Sequence, residues 1–488
     1  ILNKTTTISD IIYFMNDYRT KLTTHREFYP MSDLDWSVES DRGRIISAPS
    51  FRRLQKRTQV FALELNAAVR SRLTHSLEVS QTARFIARTI LKKLDDVHMK
   101  DLENAFISTC EMASLLHDIG NPPFGHFGET AINEWMEKCC DKYLMNLYGN
   151  ENVKEKLKKD LCSYDGNAQA IRIVHKLQRL NLSYTQTASI IKYTRGAFEE
   201  KSGDNSFSYL EKKPGFYFSE REFVDKLSET LEILPGHRFP LTYIMEAADD
   251  ISYLSADIED AVDKGILTLD KIYELIKLES FKVNQKYGTN ETMLLDLVET
   301  NYFKAKERED EPYQFNMFLT LTRAQLIYKL VEYVSDLYIK HHDDIFRGSF
   351  NNALLEFDKF HECSIAIEIL QNISYEHIYS HAQVQELEIK GYSIIQGLFN
   401  IYEPLLKLTT YEFEMLLNGE KVNCLICKNL LSRLSKKHLV AYKKSVGELQ
   451  NNDNEDVLEW YYRARLIIDY ISGMTDDYSL HEYQSLTA

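Results

Sequence analysis

Chain breakers are scarce in this sequence. Its 488 residues include only 18 Gly and 9 Pro, and no repeat, low-complexity run or linker interrupts them. A chain of this length would ordinarily divide into about three domains. With no boundary to be found, the expectation is one mainly helical body over residues 1–488, long enough to bury an extensive core. No run of about 18 uninterrupted apolar residues occurs, which argues against a membrane span. Ile1-Leu2-Asn3-Lys4 lacks the apolar core of a signal peptide and has no initiator Met, so the numbering is expected to start after processing or at the first ordered residue. Cysteine is sparse too: seven residues, an odd number without a secretory signal, predict reduced thiols in a cytoplasmic protein. Cys424-Leu425-Ile426-Cys427 has the spacing of a metal knuckle, but no second Cys or His pair lies close by. Two buried helix cysteines are the expectation there, and Cys139 and Cys140 are assigned to a helix face.

Positive charge is also in deficit. The net charge of −15 argues against general polyanion binding. Its distribution is uneven, however. Arg42, Arg44, Arg52, Arg53, Lys56, Arg57, Arg70 and Arg72 cluster against a single carboxylate, Glu64. Such an island suggests either a local anion site or a solvated helix face.

What the sequence does contain is a widely spaced set of metal-ligand types. His117 and Asp118 are adjacent in Leu115-Leu116-His117-Asp118-Ile119-Gly120. His75 lies far upstream in Arg72-Leu73-Thr74-His75-Ser76, and Asp249 far downstream in Glu246-Ala247-Ala248-Asp249-Asp250-Ile251. Two imidazoles and two carboxylates suit a divalent ion such as magnesium, manganese, iron or zinc. They leave positions open for water or a phosphate oxygen, as a catalytic ion requires. Each sits in apolar helical sequence, where an idle charge would be costly.

Helical spacing places these residues. Ala83, Ile86, Ala87, Ile90, Leu91 and Leu94 mark one helix, and His75 and Val79 extend its face backwards. A helix from about Leu102 to Leu116 carries His117 and Asp118 on its last turn, with Gly120 as its stop. Asn121-Pro122-Pro123-Phe124-Gly125 predicts a rigid turn. The next helix is expected to bury Ile132, Trp135, Met136, Cys139, Tyr143 and Leu147 and to end at Gly149. Its first turn holds His126 and Glu129, three residues apart and able to face each other, a suitable general acid/base pair. A further helix from about Leu241 to Val262 sets Asp249, Tyr253 and Asp257 on one stripe. Asp257 reads equally well as part of a cleft or as a solvated acidic face with Glu259 and Asp260.

These residues, with Ser40-Asp41-Arg42-Gly43-Arg44, Arg53-Leu54-Gln55-Lys56-Arg57-Thr58-Gln59-Val60, His117 to His126, Gly166-Asn167-Ala168-Gln169, Lys212-Lys213-Pro214-Gly215 and Asp469 to Asp476, make the chain similar to the HD-domain phosphohydrolases. Within them it resembles the enterobacterial deoxyguanosine triphosphate triphosphohydrolases, over nearly its whole length. The resemblance implies an all-α HD-type fold, with a metal core over about 40–270 and a C-terminal helical part over about 271–488 packed against it. It implies hydrolysis of dGTP to deoxyguanosine and inorganic triphosphate, with magnesium or manganese as cofactor. It puts the metal on His75, His117, Asp118 and Asp249, and the catalytic pair on His126 and Glu129. The nucleotide pocket falls on Gln59, Val60, Asn167, Lys192, Tyr193, Lys213, Tyr253 and Asp257, the two lysines meeting phosphate oxygens and Gln59 and Asp257 the sugar. Arg433, Lys436, Lys437, Arg463 and Arg465 become triphosphate contacts, neighbours of a subunit boundary or plain surface charge. The same resemblance implies a homo-oligomer, a hexamer, and single-stranded DNA as a partner. Spacing alone indicates a metal-assisted hydrolase. It leaves open an HD-type nucleotide phosphatase or phosphodiesterase, and a nucleic-acid-binding regulatory protein with an accessory nucleotide site.

Overall fold

The structure, a computed structural model, describes residues 16–64, 66–94, 97–308, 310–449 and 453–487. The N-terminal Ile1–Lys4 stretch lies outside the described residues. Helices dominate, as the spacing predicted, and the fold is all-α. Strand is confined, among the described residues, to a two-residue segment Arg195–Gly196 paired in parallel with Pro214–Phe216. No helix among them is long and apolar enough to cross a membrane.

Three helices form the centre of the first core: Arg72–Leu94, Glu103–Leu116 and Pro240–Asp263. Val79, Ala83, Ile86, Ala87 and Ile90 bury one face of the first. The second is buried at every position from Ala105 to Leu116, the pattern of a helix enclosed on all sides. Pro240 opens the third at a position where its missing N–H costs nothing. The Glu311–Lys340 helix packs across Arg72–Leu94. A second core gathers Gly125–Lys142 with the C-terminal helices Ala382–Tyr402 and Glu455–Ser472. Trp135 and Phe399 stack there at 4.9 Å.

A turn between Asp118 and His126 runs from the first core to the second. After Asp118 the chain passes through Pro122 and Pro123 to Phe124, which adopts a left-handed φ of 62°, followed by Gly125 at 55°. A left-handed phenylalanine is strained and persists only where its surroundings fix it. Here the Phe124 N–H donates to Asp476 Oδ1 at 3.1 Å. Its ring lies against Gly391, where an added Cβ would stand 2.3 Å from Phe124 Cγ. Arg57, fully enclosed, donates to the carbonyls of Ile119 and Asn121 on one side and of Ser472 and Met474 on the other.

Several local expectations are corrected. The helix after the turn ends at Lys142, not Gly149: Tyr143 leaves helical geometry and a 3₁₀ turn, Leu144–Asn146, follows. Gly120 is required by close approach rather than as a left-handed stop, since a Cβ there would lie 1.9 Å from the Gly166 carbonyl. Cys424 and Cys427 are not two helix thiols but a disulfide. Cys139 and Cys140 are buried and free on their helix face.

Candidate metal centre and active site

The three central helices converge on one point. His75 is completely buried, and its Nε2 is 3.0 Å from Asp249 Oδ1. His117 caps the Glu103–Leu116 helix, and its Nε2 is 3.4 Å from the same oxygen and 3.5 Å from Asp118 Oδ2. The two imidazoles meet edge to face, centroids 5.5 Å apart. Ligand atoms of His75, His117 and Asp249 all lie within 4.8 Å of one another.

This donor set fits a divalent ion. The His117 Nδ1 donates to the Ser114 carbonyl at 2.6 Å, which orients the ring and turns Nε2 toward Asp249. That Nε2 is buried without a hydrogen bond. Burial opposes the charged imidazole, yet Asp118 and Asp249 raise its pKa to about 9. Burial likewise opposes the Asp249 carboxylate, but His117 and His75 hold it well below the usual range. Two imidazoles facing anionic oxygen in a buried pocket is the arrangement a borderline cation stabilises.

Asp118 stands slightly apart. Its Oδ2 accepts from Arg72 Nη1 at 2.8 Å and its Oδ1 from Asn121 Nδ2 at 2.5 Å. Arg72 thus competes for the carboxylate and leaves three of the four expected ligands as the compact group.

His126 opens the helix after the turn. Its side chain is 84 % exposed, so the ring is accessible to a substrate while its Nδ1 meets Glu129 Oε2 at 2.9 Å. Glu129 is nearly buried, and its other oxygen accepts the Gly166 N–H at 2.9 Å. The pair is therefore pinned to the start of the Gly166–Arg172 helix.

Of the expected nucleotide contacts, Lys192 lies in the field of Asp249 and Lys213 in that of Glu129. Lys192 is 3.4 Å from Glu246. Burial opposes its charge, but Glu246 and Asp250, with Asp249 contributing, raise its pKa and keep it a cation. Tyr193 is buried beside it. Lys213 lies 3.4 Å from Asp165, whose Oδ1 also accepts from the backbone and side-chain amide of Asn167. Glu129 adds to the field at Lys213. Asp257 is buried rather than part of a solvated face, and so is Asp260. Burial pushes the Asp257 carboxyl up to about 7. Gln59 and Val60 are half-buried near the Thr58–Ser71 bridge. The Gln59 Oε1 is enclosed without a partner, and no described interaction ties either residue to the metal group.

Tyr379 was not foreseen. Its hydroxyl lies 2.5 Å from that of Tyr253 and also bonds the Asp257 carboxylate, closing the stripe that the helical spacing laid out. No motif marks it. Its only local signal is the π-helical turn Tyr375–Tyr379, a geometry frequent at functional sites.

The basic island is mostly consumed within the fold. Arg70 bonds Glu78, Glu259 and Asp260, Arg42 bonds Glu111, Arg44 the Leu180 carbonyl and Arg53 the Gly473 carbonyl. As a ready anion site the island is thus corrected. The same holds for Arg463 and Arg465, fully buried against Glu459 and Asp160, so neither is a free surface cation. Arg433 pairs with Glu482. Lys436 and Lys437 line a different cavity.

An HD domain model matches residues 72–205, and the phosphohydrolase-associated domain matches 428–485. Helices converging on a His-Asp dipeptide, and these matches, make the molecule an HD-domain phosphohydrolase. Proteins named deoxyguanosinetriphosphate triphosphohydrolase from Klebsiella pneumoniae, Enterobacter sp. and Salmonella typhi are each 42 % identical to it, over 97 % of this chain and 99 % of theirs. The chain belongs to that family of triphosphohydrolase enzymes.

Proposed function

We propose that the chain hydrolyses dGTP between the 5′ oxygen and the α-phosphorus, releasing deoxyguanosine and inorganic triphosphate, in a reaction that depends on a divalent ion, magnesium or manganese. The observation carrying this reading is the meeting of His75, His117 and Asp249, with a His126–Glu129 pair on the helix that follows the Asp118 turn, in a chain 42 % identical to enzymes named for dGTP. His75, His117 and Asp249, with Asp118 at its edge, would hold the ion. When bound, it polarises a phosphate oxygen and lowers the pKa of a bound water.

Everything else falls to the protein's own groups. Hydrolysis takes a proton from the attacking water and gives one to the departing 5′ oxygen. His126, exposed at Nε2 and oriented at Nδ1 by Glu129, can carry such a proton. Lys192 and Lys213, kept charged by neighbouring carboxylates, oppose the negative charge of the phosphate chain. Tyr253, Tyr379 and Asp257 form a hydrogen-bonded wall suited to a deoxyribose. A 2′-hydroxyl placed against this wall would crowd hydroxyls that are already paired with each other, which should cost on the order of 1–3 kcal/mol of transition-state binding.

The test is product analysis on the four deoxynucleoside triphosphates and GTP, with manganese or magnesium. dGTP should yield nucleoside and intact triphosphate, and GTP should react at least several-fold more slowly. Release of orthophosphate or pyrophosphate instead would assign a phosphatase or phosphodiesterase, and equal rates on GTP and dGTP would remove the sugar pocket.

A further inference from the structure

A cavity of about 610 Å³ opens between the Lys436–Gly447 helix, the Arg221–Thr230 helix and the segment that follows Arg172. It shares no lining residue with the metal centre or with the nucleotide pocket described above. On a chain of net charge −15 its wall is basic: Lys176, Arg179, Lys226, Lys436, Lys437 and Lys444 face three carboxylates, Glu27, Glu222 and Glu448. Of these, Glu27 is held by Lys226 at 3.0 Å, and Glu448 reaches Lys444 only at 3.9 Å.

The floor is aromatic. His175 stacks on Phe223 with centroids 3.9 Å apart and ring planes 9° from parallel. Burial, reinforced by Lys176, pushes this imidazole down to about 3, so the ring is neutral. Its Nδ1 is enclosed without a hydrogen-bond partner.

The backbone is unusual at the same place. Ile173–Leu177 forms a π-helical turn. Arg179, whose guanidinium lies 4.3 Å over Phe28, adopts a left-handed φ of 47°. π-turns and left-handed non-glycine residues are disfavoured and concentrate where a side chain must be aimed. A cavity of this size is typical of small-ligand sites. Lysines bind phosphate oxygens as point charges, without the planar fork of arginine.

We infer that this cavity is a second, non-catalytic site for a small phosphate-bearing ligand. Two sources share that chemistry: inorganic triphosphate, and a nucleotide whose base would lie against the Phe223–His175 pair. The site stands independently of the proposed reaction, because its test involves neither metal nor turnover.

The test is calorimetric titration of the full chain in EDTA with inorganic triphosphate, GMP and guanosine in turn. Binding is measured in the Lys192→Ala/Lys213→Ala background, which removes the lysines assigned to the catalytic pocket. Triphosphate, GMP or both should bind at one site per chain. Lys437→Glu/Lys444→Glu, checked for an unchanged melting temperature, should weaken that binding at least tenfold. Binding of GMP that Phe223→Ala weakens while triphosphate binding persists identifies a nucleotide site. Binding of triphosphate without GMP identifies a site for the inorganic chain. Guanosine should not bind measurably. Absence of phosphate-ligand binding in the Lys192→Ala/Lys213→Ala background, or binding there that the charge reversals leave unchanged, overturns the inference.

Discussion

Replacing Asp257 with Asn should change how the protein's stability responds to pH. The carboxyl is 1 % exposed, and burial lifts it from 3.8 to about 7, against the Tyr379 hydrogen bond and the nearby His75 and Arg70, while Asp260 adds to the rise. The folded state therefore binds this proton more tightly than the unfolded state. Its stabilising contribution is complete below about pH 4 and is lost as the pH rises toward 7. Each pH unit in that window is worth about 1.4 kcal/mol. Between pH 5 and pH 7 the wild type should lose roughly 2–3 kcal/mol relative to Asp257→Asn, which keeps the shape but has no proton to lose. Asn also fits: one oxygen accepts from Tyr379, and the amide would occupy the place of Oδ1, which has no partner. For a chain this long the difference corresponds to about 2–3 °C in melting temperature. The assay is paired thermal melts of both proteins at half-unit intervals from pH 5 to pH 8. Two curves running parallel across that range would refute the reasoning, because the carboxyl would then titrate alike in the folded and unfolded chain.

Asp249→Ala removes the oxygen shared by both imidazoles and should abolish hydrolysis together with bound metal, read by elemental analysis; full occupancy with normal turnover would dismiss the metal assignment. His126→Ala should retain metal and fold while losing roughly 10²–10⁴ in turnover, and a drop in melting temperature with undiminished activity per folded molecule would argue for a purely structural histidine. Glu129→Ala should lose less turnover than His126→Ala but more stability, since it also frees the Gly166 N–H; a melt and a rate on each variant decide the order. Gly120→Ala sets a Cβ 1.9 Å from the Gly166 carbonyl and 2.5 Å from the Ala170 nitrogen, both backbone atoms that no rotamer can move, so it should destabilise by on the order of 3 kcal/mol; an unchanged melting temperature would contradict that contact.

The helices were legible because periodicity is a local property. His75, Val79 and Ala83 share a face at helical spacing wherever the helix is placed, so the sequence determined that His75 points inward. It also determined that Asp249, Tyr253 and Asp257 form a stripe, and that His126 and Glu129 can meet across one turn. A rigid turn between Asp118 and His126 followed from its two prolines. What those groups face is set by elements distant in sequence, and only the tertiary structure decided it. Tyr379 reaches Tyr253 and Asp257 from more than a hundred residues away. Arg72, next to the first ligand, takes up the Asp118 carboxylate. Most strongly, charge on a sequence does not reveal its partner. Arg57, Arg70, Arg463 and Arg465 look identical to free phosphate-binding arginines until the fold brings backbone carbonyls and carboxylates to them, because a buried guanidinium must be matched by acceptors and an exposed one need not be. Helix face and turn are written residue by residue; whether a cation is left over to meet a ligand depends on every chain segment that packs around it.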